Sequence, residues 1–158
     1  MPRNITLERS IWINAPRQAV WHSITDPEHL ADWWSPDHWD IPALTVGARI
    51  MYGFELAVSR MTITAVDPMR KFGVCAEPCA VHPDFAPITM FTLSDTRGGT
   101  HLTLTQSGYD GLPDPCRQYR MAECANGFQS VLENLKFHLE DSAIFPHIDV
   151  VMNQVKSA

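Results

Sequence analysis

The thiols and imidazole of Cys75-x-x-x-Cys79-x-x-His82 are the side chains in this sequence best suited to holding a metal. Thiolate and imidazole suit Zn²⁺, and His101 or Asp84 could supply a fourth ligand. The spacing fits no strong zinc pattern and no second cysteine pair follows, so the expectation is ordinary thiols, no metal and no cofactor. Asp37-His38 sets a carboxylate beside an imidazole, the elements of an acid–base pair. Adjacent loop residues usually point apart, which argues against that role. No Gly-x-Ser-x-Gly, His-Glu-x-x-His or glycine-rich phosphate loop occurs, so serine hydrolysis, zinc proteolysis and nucleotide chemistry lack their motifs.

Aromatic side chains carry more of the signal. The stretch ADWWSPDHW places three tryptophans within seven residues, Trp33 to Trp39. Tyr52 and Phe54 alternate on one strand and share a face. Met90 lies in a later hairpin, Tyr109 in the loop that follows, and Phe128 beside Gly127 on a helix. Together with Trp34 and Trp39 these form a candidate binding set, because aromatic and methionine side chains line adaptable apolar cavities and a tyrosine hydroxyl adds a polar handle. The competing reading for each is plain core packing. Arg49 and Arg60 could anchor a carboxylate, although a solvated strand face is the commoner fate of such residues. His22 reads as a surface or partly buried histidine, and Cys116 and Cys124 as inert packing residues.

The elements that must position these residues follow from periodicity. Ile5, Leu7, Ile11 and Ile13 alternate with polar residues in a first strand, in which Arg9 falls on the apolar side. Pro16 opens a short helix with Val20, Trp21 and Ile24 on one face. Asp26-Pro27 opens a second, 27–34, capped by Asp26 or by a Thr25–Glu28 capping box. Its stripe is Leu30, Trp33 and Trp34, and Ser35-Pro36 ends it. Strands follow at about 49–56, 57–66, 71–77, 88–94 and 100–107, the last two joined by a turn containing Arg97-Gly98-Gly99. The segment SGYDGLPDPC is irregular. From Asp114-Pro115 a long helix reaches about Asp141, with Phe128, Val131, Leu132, Leu135 and Leu139 as its core face. Gly127 inside that helix costs roughly 1 kcal/mol against alanine, which points to a close sheet backbone or a ligand needing the space.

The chain of 158 residues fits one domain with a core that needs no staples. The expected division is a domain over 1–141 and an apolar extension over 142–158 that packs back on it or joins a dimer. A formal net charge of −6, with three lysines and nine scattered arginines, makes nucleic acid and anionic membranes poor candidates as partners. No apolar run is long enough for a membrane span, and the N-terminus lacks a secretory pattern. Four cysteines then point to reduced thiols in a cytoplasmic protein.

Several features in order resemble a known family: Ile11-x-Ile13-x-Ala15-Pro16, Val20-Trp21, Thr25-Asp26-Pro27, Trp33-Trp34, Gly98-Gly99-Thr100-x-Leu102-Thr103-Leu104, Ser107-Gly108-Tyr109, Gly127-Phe128 and Leu132-x-x-Leu135-x-x-x-Leu139. From about residue 5 to 140 the chain is similar to the START-like (SRPBCC) superfamily. The nearest branch is the homologues of the activator of heat shock protein 90 ATPase, grouped with polyketide-cyclase-like proteins. The resemblance implies an α+β helix-grip fold. A curved antiparallel sheet of six strands wraps a long C-terminal helix, with two short helices between strands 1 and 2 and a cavity between sheet and long helix. Two positions depart from the family pattern: Phe128 stands where tryptophan is frequent, and Gln106 where His or Glu is frequent, which weakens Gln106 as an acid or base. Fold alone does not assign chemistry. The expected function is binding of a small hydrophobic or aromatic molecule in the cavity. The rivals are a cyclase, dehydratase or hydrolase using Tyr109 or His38, and a chaperone ATPase regulator.

Overall fold

The structure is a computed structural model that describes residues 5–34, 38–54, 57–78 and 80–144. The chain runs β1 (Leu7–Ile13), α1 (Arg17–Thr25), α2 (Pro27–Trp33), β2 (His38–Asp40), β3 (Arg49–Phe54), β4 (Ala57–Asp67), β5 (Lys71–Ala76), β6 (Ile88–Thr96), β7 (Gly99–Ser107), one 3₁₀ turn at Tyr109–Gly111, and α3 (Asp114–Ile144). All strand pairs are antiparallel, in the order β1-β7-β6-β5-β4-β3-β2.

The sheet has seven strands, not six. The addition is β2, three residues pairing Trp39 with Tyr52 at the sheet edge. A segment so short carries no period-two signal. The 3₁₀ turn is likewise more regular than the Gly- and Pro-rich segment around it suggests.

Local chemistry explains the helix boundaries. Asp26 rather than Thr25 caps α2, its carboxylate accepting from the Glu28 N–H at 2.9 Å. The Thr25 hydroxyl donates instead to the Trp21 carbonyl at 2.7 Å. In the β6–β7 hairpin, Arg97 (φ 54°) and Gly98 (φ 76°) form the two-residue loop with positive φ that matches strand twist. A bulge in β4 between Ile63 and Ala65 bends the sheet opposite Gly73, where a β-carbon would meet the Thr64 hydroxyl at 2.9 Å and the Met90 methyl at 2.8 Å.

The concave face carries Ile50, Ile63, Phe72, Val74, Phe91, Leu93, Leu102 and Leu104, buried against α1, α2 and the Leu132 and Leu135 side of α3. Phe128, Val131 and Leu139 pack on this core half-buried, as the helical spacing predicts. A second, smaller cluster of Leu7, Phe85, Tyr109 and Leu112 sits under the first half of α3. The sheet backbone expected close to Gly127 is not there. The glycine is exposed, and an added β-carbon would meet nothing within 4 Å. The helix α3 also continues to Ile144, across the boundary expected at residue 141. The remainder of the expected extension, residues 145–158, lies outside the described residues.

Candidate functional site

The two apolar clusters part where the sheet curves away from the first half of α3. Between them lies an open cavity of about 360 Å³. The sheet contributes Tyr52, Ser59, Ala76 and Gln106, the segment after β5 contributes Glu77, Phe85 and Pro87, and α3 contributes Arg120 and Cys124. Tyr52 and Ser59 are cross-strand partners, so the β3–β4 pair forms one wall. Arg120 and Cys124 are four residues apart and share one helix face.

The floor is a hydrogen-bonded chain. The Tyr109 hydroxyl donates to Gln106 Oε1, and Gln106 Nε2 donates to Thr89 Oγ1 at 3.1 Å. Tyr109 is fully buried. Burial, with the Cys124 thiol beside it, pushes the phenol well above its ordinary value, so it stays protonated and acts as a donor. This answers why a neutral residue stands at position 106. Its amide oxygen accepts from the buried phenol and its nitrogen donates to the buried Thr89 hydroxyl, so both are satisfied without burying a charge in the floor.

Of the expected binding residues whose side chains are described, the structure brings only Tyr52 to the cavity wall. Trp39 is buried and stacks on Tyr52 with ring centroids 4.4 Å apart and planes 9° apart. Trp34 is half-buried and meets Trp33, Trp39 and Phe91 at 5.4, 5.8 and 6.2 Å. Tyr109 belongs to the buried floor, and Phe128 bridges the two clusters. Met90 falls on the opposite, convex face, because its neighbour Phe91 points into the core. The side chain of Phe54 lies outside the described residues, as do Cys79, residues 35–37 and the His38 side chain. Arg49 pairs with Glu77 at 3.6 Å. Arg60 lies opposite Met51, on the other face from Tyr52 and Ser59.

Sequence reasoning missed Phe85, Arg120 and Cys124. The helical pair was within reach, since stepping back by four from Phe128 gives Cys124 and then Arg120. Phe85 lies in a proline-rich loop with no periodicity to place it. Among the described residues, no three His, Cys, Asp or Glu side chains are placed to hold a metal ion. The Cys75 thiol instead faces the carbonyls of Ala76 and Ala86, both at 3.7 Å.

A sheet gripping one long helix is an arrangement shared with known proteins. The family model described as activator of Hsp90 ATPase homolog 1-like protein matches residues 14–140. The chain belongs to that family. Among solved structures, protein MLL2253 from Mesorhizobium loti superposes with a TM-score of 0.74 at 24% identity, covering 87% of this chain and 97% of that one. The Aha1 dimer from Colwellia psychrerythraea gives 0.70 at 21% identity, covering 86% and 96%. DynU16, described as a protein in the dynemicin biosynthetic locus, gives 0.72 at 21% identity, covering 87% and 48%. At these identities the likeness establishes the helix-grip fold. No curated protein matches the sequence. Among the described residues of this family member, no helix is long and apolar enough to cross a membrane.

Proposed function

We propose that this protein binds a small hydrophobic or aromatic molecule in the cavity between the concave sheet and α3. The observation that carries the reading is the lining itself. Two aromatic rings, Tyr52 and Phe85, stand with a few polar groups around about 360 Å³, within the range of small-molecule sites. Family membership supports it, as does the likeness to DynU16. Catalysis as a cyclase, dehydratase or hydrolase has less support. Tyr109 is buried, already bonded to Gln106 and held protonated, so it is not placed to serve as a base. The family's description favours one rival, regulation of a chaperone ATPase, which a change in a chaperone's ATPase rate on adding this protein would support. Cytoplasmic residence fits the free thiols of Cys75, Cys116 and Cys124. A homodimer fits the dimeric relative, and light scattering tests it.

Filling the cavity is the direct test. Cys124→Trp places an indole where the ligand would sit. A panel of polyketides, lipids and aromatic compounds should shift the melting temperature of the wild-type protein. Binding should also change tryptophan fluorescence, because Trp39 stacks on the Tyr52 wall. The folded variant, checked by circular dichroism, should lose both responses. Hits that bind wild type and variant equally would move the site elsewhere.

A further inference from the structure

The polar groups of the cavity are not evenly divided between donors and acceptors. Glu77, the acid in the lining, has Arg49 at 3.6 Å. Arg120, the cation in the lining, makes no hydrogen bond or ion pair among the described residues. Its guanidinium carbon lies 5.9 Å from the centre of the Phe85 ring. The contrast with Arg117, one turn earlier, is sharp. That guanidinium is engaged through all three nitrogens, with the carbonyls of Tyr109 and Leu112 at 2.9 and 2.8 Å and with Asp114 at 2.7 Å. One arginine staples the helix start, and the next is left with its donors free over an aromatic ring.

The floor adds to the same excess. The Tyr109 hydroxyl donates to Gln106 Oε1, and the Gln106 amide nitrogen faces Thr89. That NH₂ has two hydrogens and Thr89 takes one. The second is a spare donor on a residue that lines the cavity. Around two aromatic walls the site therefore presents a fork of guanidinium donors and an amide donor. A guanidinium fork matches a carboxylate, which is planar and accepts two parallel bonds.

Resting on the cavity reading above, we propose that the ligand is an aromatic carboxylate, its ring against Tyr52 and Phe85 and its carboxylate on Arg120. The net charge of −6 repels such an anion at long range, so the local cation decides the preference. The probes are 2-naphthoate and its neutral methyl ester, titrated by calorimetry and tryptophan fluorescence into wild type, Arg120→Gln and Cys124→Trp. Arg120 is exposed, so Arg120→Gln keeps the fold, and its thermal midpoint verifies that. Wild type should bind the acid about tenfold or more tightly than the ester, as for a hydrogen-bonded charge. Arg120→Gln should lose that preference while holding the ester unchanged, and added salt should weaken only the acid. Equal affinity for acid and ester, or an acid affinity indifferent to Arg120→Gln, overturns the anion proposal and leaves the cavity reading standing. Failure of wild type to bind either probe, or binding that Cys124→Trp does not disturb, overturns both.

Discussion

Ser23 shows how much a single buried polar atom weighs. The residue is fully buried on α1, and its carbonyl accepts the Trp33 indole N–H at 2.7 Å. Its hydroxyl, however, has no hydrogen-bond partner among the described residues. A buried hydroxyl without a partner costs about 1–3 kcal/mol of desolvation with nothing in return. Ser23→Ala removes that cost and keeps the carbonyl. The expected result is a gain of about 1 kcal/mol or more in urea unfolding, with an unchanged m-value. A loss of similar size would show that the hydroxyl is bonded in solution. The Gln106 amide is the counterexample, since both its oxygen and its nitrogen are engaged and the same burial is tolerated.

At the scale of elements, α3 is fastened at both ends by different chemistry. Near its end, Lys136 donates to the Trp12 carbonyl at 2.6 Å and to Glu140 at 2.7 Å, and Glu140 accepts from the Asn14 N–H at 2.8 Å. Burial pushes the Glu140 carboxyl up, but the bonds from Lys136 and Asn14 outweigh it, and the group titrates below its ordinary 4.5. Across from α2, the rings of His29 and His138 approach to 3.5 Å between Nδ1 and Nε2. Burial, then the His29 charge, lowers the His138 pKa, partly opposed by Asp32. Asp141 lines the same depression between the helices. A depressed histidine stabilises the fold fully above its unfolded value of 6.5 and loses that contribution as pH falls through its folded value. Stability should therefore decline as pH drops below about 6.5. The Glu140 contribution is lost only below 4.5, so the two windows separate. Chemical unfolding at pH 7.5 and pH 5.5 should show the decline in wild type and flatten it in His138→Gln. A decline of equal size in both would assign it to other groups.

Over the whole molecule, an aromatic chain ties separate elements into one body. Ring contacts run from Trp21 through Phe72, Phe91, Trp34 and Trp39 to Tyr52, with Trp33 branching at Trp34. They link α1, β5, β6, α2, β2 and β3. The period-two strands, the proline-opened helices and the apolar stripe of α3 were legible because each repeats its signal over several residues. The three-residue β2 was not. The cavity was half legible. Its place between sheet and helix follows from the fold, but strand parity for Met90 does not, because Ile88 and Met90 are as apolar as Phe91 and Leu93. Nor does composition separate a tryptophan at a mouth from one behind a wall. Trp34 is half-buried among three rings, and the consequence is testable. Removing it breaks the chain at its centre, so Trp34→Ala should cost about 2–4 kcal/mol, somewhat below a fully buried tryptophan. It should also flatten the near-ultraviolet circular dichroism, and Trp34→Phe should recover most of the stability. A Trp34→Ala protein within about 0.5 kcal/mol of wild type that lost only ligand binding would place Trp34 at the binding site rather than in the core.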